Sequence, residues 1–438
     1  MKKNNWLLKL YVGILLFVFA LIIFHAPLSV YGGTLFPQFE LLIKSWKEIL
    51  LIAALPIGIY LAMKKGLAKQ MKTDYLFLAI VLYAALHLFL LDLFATSVKQ
   101  VLAGLAIDLR YILFFTLFYI AIKLMPEYRR KVLFVGILSS VVSVIFSFLQ
   151  IFILPADILA HIGYGKNTIE PYLTIDKNPD FIRINGTLRG PNPLGSFMLT
   201  IVSIIAAWLV TQKQKSKDRK IIIFLALFGF SSIIVLWASY SRSALVATLL
   251  SFVIILVFTF AQKIKPQIWL GILALSIVFT GVLYTQKNSD FVQHVILHNN
   301  PTGGSARDSN EEHASSLQIG IERMLNQPFG AGIGSTGSAS LFGNEPIIIE
   351  NQYLFVAHES GWIGMLLFLF IFLSILWRLF KQKADWLALG LFASGVSLAA
   401  VGFLLPVWAD DTVSIIWWGL AGVAMASGGA HAKRKQAK

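Results

Sequence analysis

The sequence contains no cysteine. That excludes a disulfide, a thiolate nucleophile and any cysteine-ligated metal site. Charge is scarce as well. Only 13% of the 438 residues are Asp, Glu, Lys or Arg, against about 25% in a soluble globular chain. Acids are the scarcer kind, 22 against 37 basic residues, leaving a net charge of +15. No P-loop, HExxH or Gly-x-Ser-x-Gly motif occurs, and no internal repeat or low-complexity tract is visible. Phosphate-cradling, zinc-protease and α/β-hydrolase signatures are therefore missing. His294, His298 and His313 lack the tight spacing of a metal site, so neither metal nor cofactor is expected.

What the chain has instead is apolar length. It is 57% hydrophobic, and runs of about 18 or more apolar residues, each bounded by charge, recur from end to end. Spans are predicted near 7–24, 46–63, 75–92, 108–125, 132–154, 194–211, 220–238, 243–261, 267–285, 353–376, 385–405 and 412–428. Only helices satisfy the backbone across such lengths of lipid. The expectation is an all-α polytopic membrane protein with about 12 transmembrane helices. Residues 1–438 then form a single integral membrane domain. The basic start Met1-Lys2-Lys3 leads into the first span without a small-residue cleavage site, so that helix is read as uncleaved.

Basic residues alternate between loops. Lys64, Lys65, Lys69 and Lys72 form one group, and Arg129, Arg130 and Lys131 the next. Lys213, Lys215, Lys217, Arg219 and Lys220 follow, then Lys263 and Lys265, then Arg378, Lys381 and Lys383. The intervening short loops hold only Lys44, Lys99 and Arg242. The asymmetry predicts cytoplasmic termini, in keeping with the tail Lys433-Arg434-Lys435. The excess of positive charge is thereby assigned to topology and the lipid bilayer, and no nucleic-acid partner is expected.

Two loops on the predicted extracytoplasmic side are long, 155–193 and 286–352. Such loops in a compact protein are usually functional or disordered. The second predicts an amphipathic helix over 306–326, with Leu317, Ile321, Met324 and Leu325 at helical spacing. Pro328 stops it, and a glycine-rich run to Gly337 follows.

Polar groups gather beside these loops in three clusters. The first is Arg183-Ile-Asn-Gly-Thr-Leu-Arg189-Gly-Pro-Asn192-Pro-Leu-Gly195, with two arginines and a proline-fixed entry into a span. The second is Ser239-Tyr-Ser-Arg242-Ser243, a tight turn that holds Arg242 at the membrane surface. The third is Glu350-Asn351-Gln-Tyr353, with His358 and Glu359 one to two turns on. Helical spacing puts Glu350 and His358 on one face and Asn351 and Glu359 on the next. Arginine pairs bidentately with phosphate oxygens and stays charged. A departing diphosphate needs such neutralisation, and an attacking sugar hydroxyl needs a base within hydrogen-bond reach. Each residue also has a plainer reading. Arg189 and Arg242 could snorkel to headgroups, Glu350 could sit at a helix N-terminus, and His358 could be packing. Asp108 and Arg110 could pair with each other, and His87 and Asp92 read as helix contacts.

At these residues the chain resembles the O-antigen ligase and polymerase family of bacterial membrane glycosyltransferases. The resemblance is carried by Arg189-Gly-Pro-Asn-Pro-Leu-Gly195, Ser241-Arg242-Ser-Ala and Arg323-Met-Leu-Asn-Gln-Pro-Phe-Gly-Ala-Gly332. It continues through Glu350-Asn-Gln-Tyr-Leu354 and Glu359-Ser-Gly-Trp-Ile-Gly364. It implies a C-type glycosyltransferase-like fold in the bacterial cytoplasmic membrane, with a lipid-accessible cavity under the large helical extracytoplasmic loop. The implied donor is a glycan on undecaprenyl diphosphate, and the acceptor a glycan or lipid-linked hydroxyl. By position Arg189 and Arg242 would hold the diphosphate, supported by Asn192, Asn351, Tyr353, Glu359 and Arg110. Family ligases that act on lipid A core often carry histidine before asparagine where this chain has Glu350-Asn351. The base is then Glu350 or His358, and the departure favours a polymerase. A transporter or flippase, or a scaffold subunit for polysaccharide export, stands as the alternative class.

Overall fold

The computed structural model describes residues 6–94, 97–175, 178–212, 218–260, 285, 288–289, 292–293 and 309–436. Its first helices are α1 (Trp6–Leu35), α2 (Trp46–Lys64), α3 (Tyr75–Leu93), α4 (Val98–Leu124) and α5 (Tyr128–Phe152). A two-stranded antiparallel hairpin follows, β1 (Tyr172–Ile175) and β2 (Asn178–Ile184). Then come α6 (Pro191–Gln212), α7 (Arg219–Ala238) and α8 (Arg242–Phe260). The chain closes with α9 (Ser309–Asn326), α10 (Gln352–Lys381), α11 (Trp386–Val401) and α12 (Asp411–Gln436).

Nine described helices, α1 to α8 and α10, are long and apolar enough to cross a membrane by length and composition. Every predicted span on described residues coincides with a helix. The one near 267–285 lies, Thr285 apart, outside them, as do Lys213, Lys215, Lys217, Lys263, Lys265, His294 and His298. The amphipathic helix expected over 306–326 is α9, residues 306–308 being outside the described set.

The first helix runs on to Leu35, beyond the expected end near 24, and the last to Gln436, beyond 428; three further differences have a physical reason. The fourth helix begins at Val98 and not near 108, because Asp108 and Arg110 are buried with partners in its interior and do not mark its end. The loop 155–193 is not irregular throughout, since residues 172–184 supply the hairpin, a small departure from an all-helical chain. Its register sets Arg183 opposite Leu173 and Ile184 opposite Tyr172. Finally, α10 is interrupted at Gly361, whose φ of 69° and ψ of −172° are not helical.

Three of the scarce acids cap helix starts. Asp74 accepts from the Leu76 N–H, Asp218 from Lys220 and Asp385 from Leu387, at 2.9, 3.0 and 2.9 Å. Each satisfies an amide that the first helical turn leaves without a partner. Two of them also bind arginine across the bundle. Arg378 forks onto Asp74 at 2.6 and 2.5 Å, and Arg129 Nη2 onto Asp385 at 2.7 and 2.8 Å. These pairs tie α10 to α3 and α5 to the start of α11.

The core centres on α12 against α4. Their backbones approach so closely that a Cβ on Gly422 would lie 2.4 Å from the Phe115 carbonyl oxygen, the close small-residue crossing expected between helices in lipid. Trp408, Trp417 and Trp418 fill the adjoining space against Phe372, with ring centroids 5.2 to 6.0 Å apart. Around this core, α6 packs on α7, α8 and α11, and α9 lies on α10. The starts of α6, α8 and α10 meet at one end of the bundle.

Candidate functional site

At that end lies a cavity of about 550 Å³. Its polar lining is Arg183 from β2, Asn192 from the first turn of α6, Tyr240, Arg242 and Ser243 from the α7–α8 junction, and His313 from α9. Val246, Ala247 and Leu250 of α8, with Ala400 and Val401 at the end of α11 and Leu404 beyond it, supply an apolar wall. A smaller cavity of about 180 Å³ adjoins it, sharing His313 and Leu404 and adding Glu350 and Asn351.

Local structure explains how these groups are held. The α7–α8 junction turns at Tyr240, whose φ of 47° is the only positive value for a non-glycine among the described residues. Such a left-handed residue costs about 1–3 kcal/mol and persists where its surroundings over-determine it. The turn sets Arg242 at the first position of α8 and leaves the Ser239 carbonyl to accept from Arg183 Nε at 3.1 Å. Arg183 Nη2 also donates to Asn192 Oδ1 at 2.7 Å. One guanidinium thus joins the hairpin, the α7–α8 turn and the start of α6.

The second corner is built from α9 and the residues before α10. His313 Nδ1 lies 2.6 Å from Glu350 Oε2. One turn along α9, Ser316 Oγ accepts from the Glu350 N–H at 2.9 Å. Asn351 caps α10, accepting from Tyr353 and Leu354 N–H at 2.9 and 3.0 Å, and donates through Nδ2 to the Phe403 carbonyl at 3.0 Å. The Tyr353 hydroxyl donates to the Ala399 carbonyl at 2.7 Å. Asn351 and Tyr353 therefore fasten α10 to the end of α11.

The other singled-out residues lie elsewhere. Arg189 is exposed and outside the cavity lining, near enough to Asp410 to act on its charge. Burial pushes the Asp410 carboxyl above its ordinary value, with Arg189 and Arg110 pulling the other way. Arg110 does not pair with Asp108. It binds Asp411, stands 3.6 Å from Glu48 and donates to the Ala409 carbonyl at 2.5 Å. Lys47 and His25 reach Asp411 at 3.3 and 2.8 Å. Asp108 instead faces His87 at 3.2 Å.

Glu359 is buried away from the cavity, as is His358. Glu359 Oε2 and Oε1 accept from the Gly334 and Thr336 N–H groups, at 3.0 and 3.4 Å. The His358 carbonyl accepts from Ala331 N–H at 2.6 Å. Both thereby clasp the glycine-rich loop 328–337 onto α10. The left-handed φ values at Gly330, Gly332 and Gly334 let this loop pass so close. Among the described residues no group of three or more His, Asp or Glu is arranged to hold a metal ion.

Two cavity residues were not singled out for these roles in the sequence reading. Arg183 was signalled by the stretch it shares with Arg189, but its direction depends on strand register. His313 was weighed only as a metal ligand. Its signal was its place on the polar side of α9, four residues before Leu317.

Residues 227–369 match the family model described as O-Antigen ligase. The matched stretch contains Arg242, α9, the glycine-rich loop and Glu350 to Glu359, so the resemblance stated from the motifs holds over that part of the chain. Arg183, Arg189 and Asn192 lie before it. No curated protein matches the chain. With the apolar helices, the match supports a multi-pass membrane enzyme of O-antigen ligase or polymerase type, acting in polysaccharide biosynthesis.

Proposed function

We propose that the protein is a glycosyltransferase that moves a glycan from a polyprenyl diphosphate, undecaprenyl diphosphate in a bacterial cytoplasmic membrane, onto an acceptor hydroxyl at the extracytoplasmic face. The observation that carries this reading is the joint presence of Arg183 and Arg242 in one cavity with an apolar wall. Guanidinium groups match a diphosphate in charge and in fork geometry. The apolar wall suits the isoprenoid beside it. Of the two arginines near the start of α6, the reading takes Arg183 for this role, because Arg189 stands outside the cavity lining.

The chemistry is a displacement at the anomeric carbon. The acceptor oxygen forms the new C–O bond as the bond to phosphate breaks, and the electron pair leaves with the diphosphate. Positive groups fixed at that diphosphate stabilise the charge where it develops. The hydroxyl proton goes to the corner formed by His313 and Glu350. A second lipid-linked repeat is favoured as acceptor, since Glu350 stands where ligases often carry histidine.

Reconstitution in liposomes with a polyprenyl-diphosphate-linked glycan tests the reading. A ladder of elongated products is expected, whereas a single addition means a ligase. Donor moved across the bilayer with no new glycosidic bond would reassign the protein as a flippase.

A further inference from the structure

The larger cavity is lined by His313 but not by Glu350, which lines only the smaller cavity behind it. His313 therefore lines both the cavity that holds the arginines and the one that holds the carboxylate. Nδ1 faces Glu350 Oε2 at 2.6 Å, and Nε2 is the ring nitrogen on the opposite side. The placement is not a chance approach of two surface groups. His313, Ser316 and Gly320 fall at i, i+3 and i+7, one face of α9. Ser316 Oγ is bonded to the Glu350 amide at 2.9 Å. A Cβ on Gly320 would lie 2.9 Å from the Leu354 side chain and 3.2 Å from that of Ile349. Three points of one helix face thus fix His313 against Glu350.

Resting on the function proposed above, we infer that His313 is the proton acceptor for the incoming hydroxyl and that Glu350 positions it. In the transfer step the acceptor O–H proton passes to the imidazole as oxygen bonds to the anomeric carbon. The C–O bond to phosphate breaks, and the polyprenyl diphosphate departs with the electron pair. The imidazolium formed is stabilised by the Glu350 carboxylate, and its proton returns to water after product release. A carboxylate that orients an imidazole and stabilises its charged form is a recurrent arrangement for activating hydroxyls. The histidine needed for this chemistry is then supplied from α9, and Glu350 is the second member of the couple.

The test uses full-length protein in liposomes with polyprenyl-diphosphate-linked glycan, measuring transfer and donor binding separately. For H313Q the expected result is a fall in kcat of about 10²-fold or more, the usual contribution of a general base, with donor KM and donor binding as in wild type. E350Q is expected to lower kcat, also at unchanged donor KM. Added imidazole is expected to restore turnover to H313G but not to E350A. Wild-type kcat in H313Q overturns the inference. So does loss of donor binding in H313Q together with no imidazole rescue of H313G, because His313 would then be structural. Loss of transfer in E350Q with full turnover in H313Q makes Glu350 the base and likewise overturns it. If wild-type protein binds donor without needing Arg183 or Arg242, or transfers no glycan, the function proposed above fails first.

Discussion

Glu359 on α10 and Gly334 in the glycine-rich loop are joined by a buried hydrogen bond, the Gly334 N–H donating to the carboxylate at 3.0 Å. Thr336 N–H donates to the other oxygen at 3.4 Å. One side chain therefore links α10 to the loop that follows α9. A motif residue buried away from the cavity is here a structural clasp, and its effect on turnover is expected to run through the loop.

For E359A the expectation follows directly. Two loop amides lose their acceptor inside the protein, each at a cost of about 1–3 kcal/mol. Hydrogen exchange at Gly334 and Thr336 should accelerate, while donor binding is affected less than turnover. Unchanged exchange at both amides would show that the clasp does not hold the loop.

Gly361 should tolerate no side chain. Its φ of 69° is left-handed, and a Cβ there would meet the Pro328 carbonyl oxygen at 2.5 Å. The backbone strain alone is on the order of 1–3 kcal/mol. G361A should lower the thermal midpoint in detergent and free the loop from α10, read as faster proteolysis between residues 328 and 337. A wild-type midpoint would mean that the helix break can re-form as regular helix.

Asp74 predicts an acid dependence at the other end of the bundle. Burial pushes its carboxyl up, but the hydrogen bonds from Arg378 and from the Leu76 N–H, with the Arg378 charge, outweigh this and hold it below the ordinary value. A depressed folded-state value means that the unfolded chain binds more protons, so stability rises with pH through this window. The contribution is present above the ordinary carboxylate value and is lost as pH falls through the folded one. Wild type should lose thermal stability in that acid range, and D74N should lose less over the same range. Parallel acid curves for the two proteins would remove Asp74 as the cause.

Much of the architecture was legible because lipid leaves the backbone one solution. Apolar length bounded by charge located every described membrane-length helix, and the helical spacing of Leu317, Ile321 and Leu325 located α9. The hairpin was not legible, since two strands of 4 and 7 residues give too short an alternation to separate from a loop. Its register is what turns Arg183 into the cavity, so Arg189 was the natural choice from spacing alone. The start of α4 was missed for a related reason. Asp108 and Arg110 read as a span boundary until His87 and Asp411, distant in sequence, are seen to be their partners. Neighbours along a helix can be counted in a sequence, whereas the meeting of His313 with Glu350 needs two elements brought together by the fold.

The central claim is that Arg183 and Arg242 together grip a diphosphate. Equilibrium binding of a polyprenyl diphosphate to R183K and R242K in nanodiscs tests it most directly. Lysine keeps the charge but loses the two-pronged fork, so each variant should bind about 10-fold more weakly, the equivalent of about 1.4 kcal/mol. Wild-type affinity in both variants, or a loss confined to R189K, would contradict the account.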